Sequence, residues 1–529
     1  MKKQFLIPLS ILFLANCIEI KAEKPRAAKF QPTVESLLGY ECPEWFRDAK
    51  FGIWSHWGPQ TVPMRANGWY AREMYMEGYD AYKYHLAHYG HPSKFGYKDI
   101  IQLWKAEKFD PEFLMTLYKD AGAKYFVALA NHHDNFDLWN SKYQPRWNSV
   151  NMGPKKDIVK LWQQAALKNG LRFGVTQHLE RCWSWFQTNK GADKTGPYAG
   201  VPYDGNDTAY QDLYLKKDPN GDDNLMHPKN ATVEWRQNWL ARTKDLIDQF
   251  HPDLMYVDGG IPFSGDDKGQ TGLDMVSHLY NSSKNLHGGR NEAVMCNKDV
   301  WAHGFFWDGI ATLDLERTNM NQIHKQPWIQ DNSTGPWFYD VGFRNSENGT
   351  MYYSASKIIS ELVDVVSKNG TMLLNVTQLP DGSLDSTAIV LLKDIGKWMK
   401  INGQAIYATR PWKNYGEDKN TKAVTTVLKD FKGSNSDNVL KYSSEDIRFT
   451  QSKDGKILYA MVMNWPDNGK VLIKSLSTPT GTVKNVSLLG NKSALKWEQT
   501  ENGLEVTFPA NKPCDYVFAL KISGTNICK

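Results

Sequence analysis

The chain has 529 residues, 41% of them hydrophobic and 13% aromatic, including 20 Trp and 25 Tyr. That length exceeds one ordinary domain and fits a large barrel plus a smaller module, with enough apolar content for a buried core. A net charge of +5 over this length, with no dense Lys/Arg run among aromatics, gives no case for a nucleic-acid partner.

Met1-Lys2-Lys3 precedes an apolar run over residues 5–15. A basic start and a hydrophobic segment of this length predict an export signal over residues 1–22, too short to span a bilayer. Two processing routes compete: ordinary cleavage after Ala22, or a lipid anchor at Cys17 within Leu14-Ala15-Asn16-Cys17, where Asn16 replaces the usual small residue. The expected location is accordingly the periplasm or, as a lipoprotein, the outer membrane of a bacterium. No other stretch is long and apolar enough for a span, so no transmembrane segment is expected. The six cysteines include no CxxC pair, which argues against a zinc ribbon. Pairing of Cys514 with Cys528 stays open.

Residues 23–40 are expected to link this leader to a first domain over residues 41–412. Its first strand is predicted over residues 50–54, ending at Ser55-His56-Trp57-Gly58. A second, over residues 124–129, ends at Asn131-His132-His133-Asp134. An amphipathic helix over residues 157–169 is closed by Gly170, and the strand over residues 171–175 delivers Gln177-His178-Leu179-Glu180. A helix over residues 235–250 leads into Leu254-Met255-Tyr256-Val257, which ends at Asp258-Gly259-Gly260. Residues 293–296 end at Asn297-Lys298, and an apolar run over residues 310–315 precedes Glu316. Helices over residues 356–368 and 387–401 flank a strand over residues 371–375.

Strand alternating with helix implies parallel βαβ units, and strands that end in chemically able residues imply an α/β fold of the (β/α)8 type, with its chemistry at one rim. After residue 412 the texture changes to short alternating runs separated by turns such as Asp454-Gly455 and Glu501-Asn502-Gly503. A C-terminal β-sandwich over residues 413–529 is expected.

Asp258 is the first catalytic candidate, because side chains at the C-terminal ends of barrel strands face the active site, although an Asp after a strand also caps helices. If Asp258 is a nucleophile, glycoside hydrolysis needs a second carboxyl group. Asp308, Asp314, Glu316 and Asp331 are the candidates. Glu316 leads narrowly, since it follows a predicted strand and Glu is the easier of the two types to hold protonated. His56, His132, His133 and His178 at three strand ends suit hydrogen bonds to sugar hydroxyls, and the aromatic surplus suits stacking on pyranose faces. The adjacent His132-His133 pair lacks the His-x-His spacing of metal-dependent barrels, so no metal and no cofactor are expected. Asp218-Pro219-Asn220-Gly221-Asp222 resembles the start of a calcium loop. Asp223 stands where that loop requires Gly and Lys229 where it requires Glu, so a surface turn is the reading.

Four stretches resemble family 29 glycoside hydrolases, the α-L-fucosidases. They are residues 50–58, residues 130–143 around the histidine doublet, residues 368–376, and residues 396–407. They occur in register within residues 40–412, followed by a fucosidase-like sandwich. The resemblance implies a retaining exo-glycosidase with Asp258 as nucleophile and Glu316 as acid/base, the latter followed by Pro327-Trp328 and Trp337-Phe338-Tyr339 as in the family. It implies sugar contacts from His56, His132, His133 and Trp69. His178, Lys298 and Trp337 join them as candidate substrate-binding residues. Four stretches depart from the family pattern: Gly68 replaces a Glu before Trp69, Thr176-Gln177-His178 replaces Tyr-Tyr-Ser, Lys298 replaces an Arg, and Ile329 replaces a Glu. The substrate implied is a terminal α-L-fucosyl glycan or polysaccharide, with α-L-galactose on algal-type galactans as the alternative. A non-catalytic carbohydrate-binding protein is the alternative of another class.

Overall fold

A computed structural model describes residues 28–218, 228–298, 304–419 and 442–528. The expected export segment, Cys17 and most of the calcium-like turn lie outside the described residues.

Eight parallel strands close into a barrel in sequence order. They are β1 (Phe51–Ser55), β2 (Tyr125–Asn131), β3 (Arg172–Gln177), β4 (Leu254–Val257), β5 (Val294–Lys298), β6 (Thr312–Asp314), β7 (Trp328–Ser333) and β8 (Gly370–Asn375). Each strand alternates its side chains across the barrel wall. Trp54, Val127, Leu254, Tyr256, Cys296, Ile329 and Leu373 form one buried cluster inside the barrel. Ile53, Phe126, Met255 and Met295 belong to a separate cluster with the surrounding helices. This parity decides where the chemistry sits. Asp258 is two positions beyond inward-facing Tyr256, Lys298 two beyond Cys296, and Asp331 two beyond Ile329.

The helices form where caps and amphipathic faces coincide. Asp157 caps Ile158–Lys168 by accepting from the Lys160 amide at 3.0 Å. Thr232 caps Val233–Phe250 at Trp235, and that helix stops at His251 in the left-handed region (φ 42°) before feeding β4. Residues 28–40 lie against the helix Gln270–Leu286, where Tyr40 stacks on Tyr280 at 4.9 Å. Among the described residues no helix is long and apolar enough to cross a membrane.

Strand β9 (Thr409–Glu417) crosses residue 412 and edges a five-stranded antiparallel sheet of order β13-β16-β11-β10-β9. Its partners are β10 (Ile447–Ser452), β11 (Ile457–Val462), β13 (Thr482–Leu488) and β16 (Phe518–Thr525). A three-stranded sheet of β12 (Lys470–Ile473), β15 (Gly503–Thr507) and β14 (Lys496–Thr500) packs over it. Phe449, Leu458, Val471, Leu504 and Leu520 lie in the core between them. Cys514 and Cys528 are both free thiols.

A buried charge cluster joins β10 to the barrel. The Asp364 carboxylate accepts from Lys368 at 2.7 Å, from Asn319 at 2.6 Å and from Arg448, which also pairs with Asp418 at 2.7 Å. Burial alone would raise Asp364, but Lys368 and Arg448 hold it below the usual carboxylate range. Its contribution to stability is therefore present above the unfolded value near pH 4 and is lost as pH falls through the folded one. Asp364→Ala takes the carboxylate from buried Lys368, leaves Arg448 with Asp418 alone, and is expected to cost about 3 kcal/mol, read as a lower melting temperature at neutral pH. An unchanged melting temperature would refute that role.

Candidate active site

Asp258 leaves β4 at a turn that only glycine tolerates well, since Gly259 sits at φ 148°. One Asp258 oxygen, Oδ1, accepts from Lys298 Nζ at 2.9 Å. The other, Oδ2, lies 3.1 Å from Arg181 Nη2, 3.5 Å from His178 Nδ1 and 3.6 Å from His133 Nε2. Burial pushes this carboxyl up, yet Arg181, Lys298 and His178 together hold it well below the usual range. Asp258 is thus an anion at working pH, as a nucleophile must be.

Lys298 also donates to Glu316 Oε2 at 2.6 Å. One ammonium therefore bridges the two carboxylates and holds them side by side. Burial raises Glu316, but Lys298 outweighs it and lowers the group. Of the other carboxyl candidates, Asp308 is exposed, whereas Asp314 and Asp331 are almost wholly enclosed. Glu316, at 39% side-chain exposure, is the one beside Asp258 that also reaches the mouth.

Four histidines face this pair, each oriented by a second partner. His56 Nδ1 donates to Asn375 Oδ1 at 3.0 Å, and Gln60 Nε2 donates to His132 Nδ1 at 2.7 Å. His133 Nδ1 donates to the His178 carbonyl at 2.8 Å, and His178 Nε2 is hydrogen-bonded with the Thr176 hydroxyl at 2.9 Å. Burial lowers all four, so they are neutral and can each offer one ring nitrogen as donor or acceptor to a hydroxyl. Ligand nitrogens of His56, His132 and His178 lie within 4.8 Å of one another.

Aromatic rings close the walls. Trp337 stands 5.2 Å from the His56 ring, with the Arg317 guanidinium 4.8 Å over its face. Trp69 is outermost and reaches the cluster through Trp185, which lies 4.9 Å from Trp69 and 4.4 Å from His133. The glycine before it is explained locally. Gly68 has φ 90°, and a Cβ there would lie 2.6 Å from the Phe338 ring, which itself packs 4.9 Å from His132.

The structure brings together Asp258, Glu316, His56, His132, His133, His178, Lys298, Trp337 and, at the edge, Trp69, whereas the candidate Asp308 is exposed. It adds Arg181, which sequence reasoning missed. Arg181 ends the 3-10 turn Leu179–Arg181 after β3, three positions past His178, and only the folded turn aims it at Asp258. Asn375 and Gln60, which orient two histidines, were missed as well. Asn375 ended a predicted strand and was thus within reach.

The chain matches the alpha-L-fucosidase family over residues 17–404 and the alpha-L-fucosidase C-terminal domain over residues 441–523. Tissue alpha-L-fucosidase of Homo sapiens is 28% identical over 528 residues, covering 98% of this chain and 96% of that one. Plasma alpha-L-fucosidase of Pongo abelii is 27% identical, covering 94% of each. A Thermotoga maritima alpha-fucosidase solved in complex with a mechanism-based inhibitor superposes with a TM-score of 0.69 at 26% identity, covering 94% of this chain and all of that one. With a closed eight-stranded barrel, a C-terminal pair of antiparallel sheets and a family match that spans most of its length, the chain belongs to the alpha-L-fucosidase family of glycoside hydrolases.

Proposed function

We propose that this enzyme releases terminal α-L-fucose from glycans or polysaccharides with retention, through a covalent glycosyl-Asp258 intermediate. The observation that carries this reading is the Lys298 bridge at 2.9 and 2.6 Å, which places two carboxylates of unequal exposure side by side. Asp258 attacks the anomeric carbon while Glu316 gives its proton to the departing oxygen. Glu316 then takes a proton from water, which attacks the same carbon and frees Asp258. The neutral histidines bind and orient the sugar hydroxyls.

The reactive form has Asp258 ionised and Glu316 protonated. Because Lys298 lowers Glu316, the alkaline limb of kcat/KM is expected on the acid side of neutrality. Lys298→Met removes the charge that favours ionised Glu316, so the proton is kept to higher pH. That limb is expected to move up by about one unit or more, with kcat reduced. A limb that stays in place would detach Lys298 from Glu316.

Two aryl glycosides decide the substrate. Release of 4-nitrophenol from the α-L-fucoside is expected at least ~10-fold faster than from the α-L-galactoside, although a pocket rejects one added hydroxyl by no more than about 100-fold. A faster galactoside would reassign the sugar. Sugar binding without release from either would make the protein a carbohydrate-binding module.

We further read residues 1–22 as an export signal that delivers the enzyme to the periplasm or, through Cys17, to the outer membrane. Metabolic labelling with palmitate distinguishes the two, since only the anchored form incorporates label and Cys17→Ala abolishes it.

A further inference from the structure

The Asp258–Lys298–Glu316 bridge rests on two more carboxyl groups. Asp314 ends β6 and is the register partner of Lys298 across the β5–β6 pairing. Asp331 lies on β7, with Oδ2 3.8 Å from Lys298 Nζ and accepting from the Tyr256 hydroxyl at 3.0 Å. Both residues are 1% exposed. Asp331 Oδ1 and both Asp314 oxygens find no N–H or O–H donor of good geometry, although they are fully enclosed. Asp314 lies in register with Ile329, two positions before Asp331 on the adjacent strand, so the two carboxyl groups are neighbours on the same side of the barrel wall.

A buried carboxylate without a donor is costly, and two side by side cannot both be ionised. A proton on one of them resolves both problems at once, because the neutral acid donates to its neighbour. Tyr256 supplies only one hydrogen to the pair. We infer that Asp314 and Asp331 share one proton, and that the single remaining negative charge anchors Lys298 from beneath, positioning its ammonium between Asp258 and Glu316. Burial, and then the Asp331 charge, raises Asp314, while burial pushes Asp331 up to about 6 against the opposing pull of Lys298, in keeping with this arrangement.

The pair does not touch the reacting atoms, so both are positioning residues. Their charge also acts on Glu316. An anion below the bridge opposes ionisation of Glu316 and so preserves its ability to carry the proton. This inference rests on the roles proposed above for Asp258 and Glu316, but its first test does not depend on turnover.

Shared protonation makes an unusual pattern of substitutions diagnostic, since Asn mimics the neutral acid. Infrared difference spectra of the intact enzyme against each single variant at neutral pH are expected to show one buried carboxylic-acid C=O stretch that belongs to the pair. Asp314→Asn and Asp331→Asn should each remove it while preserving the melting temperature within a few degrees. In the activity arm, each single variant is expected to retain kcat within about fivefold. The double variant, which loses the charge, should fall by about 30-fold or more, a non-additivity expected only of coupled groups. Its alkaline limb should also move to lower pH, which a merely structural role would not produce. The proposal is overturned if the acid band persists in both single variants. It is also overturned if the two losses multiply, or if the double variant behaves as wild type. A band present in an enzyme inactive on every fucoside would refute the proposed function and leave the shared proton standing.

Discussion

Asp258→Ala is expected to lower kcat by at least about 10³-fold while leaving the melting temperature close to wild type. The size follows from what is lost: the substitution removes the nucleophile itself, and water in its place lacks a positioned base. The fold is spared because Lys298 keeps Glu316 and Asp331 as partners, so only Arg181, whose side chain is 14% exposed, loses its paired carboxylate. Two consequences separate this role from binding alone. Azide fits the vacated space and should partly restore turnover, giving the azide of inverted configuration. Affinity for free fucose should change far less than kcat. Activity equal to wild type in this variant would end the proposal, and a loss that azide leaves untouched would reassign Asp258 to binding.

The second large effect belongs to Glu316. For substrates with poor leaving groups, Glu316→Ala is expected to lower kcat by about 10²- to 10⁴-fold, the range of a positioned general acid. An activated aryl fucoside needs little protonation to depart, so its glycosylation step should suffer much less. Because this variant has lost the group that titrates, the alkaline limb of its pH profile should flatten. The rival carboxyls predict otherwise. If Asp331 were the proton donor, Glu316→Ala would keep its alkaline limb and would penalise both leaving groups alike.

Much of this site was legible in the sequence because a period of two links strand identity to function. An apolar run such as Leu254-Met255-Tyr256-Val257, ended by Asp and two glycines, says both that a strand stops and that a carboxylate stands at its mouth. Element boundaries differ from the prediction by one or two residues, as for β3, which extends through Gln177. Caps and barrel hydrogen bonds set those ends rather than hydrophobic pattern. Strand β6 is only three residues long, inside the longer apolar run over residues 310–315 that pointed to Glu316. Strand β14, half-exposed and mostly polar, had almost no local pattern.

What was illegible is tertiary. Arg181 is one polar residue in a turn, and nothing in its neighbours states that it will meet Asp258 at 3.1 Å. Lys298 was expected to bind sugar, yet it stands between two carboxylates, a relation that requires β4, β5 and β6 to be placed together. The Asp314–Asp331 pairing across β6 and β7 is of the same kind. Each was visible as a candidate acid, but their proximity to each other was not.

The central claim is a covalent bond between the sugar and Asp258. It is tested most directly by trapping the enzyme with a 2-deoxy-2-fluoro-α-L-fucosyl fluoride and mapping the adduct by peptide mass spectrometry. The expected result is one 2-deoxy-2-fluorofucosyl adduct per chain, on Asp258 and lost in Asp258→Ala. An adduct on Glu316 or Asp331, or steady turnover of the probe with inversion and no adduct, would contradict it.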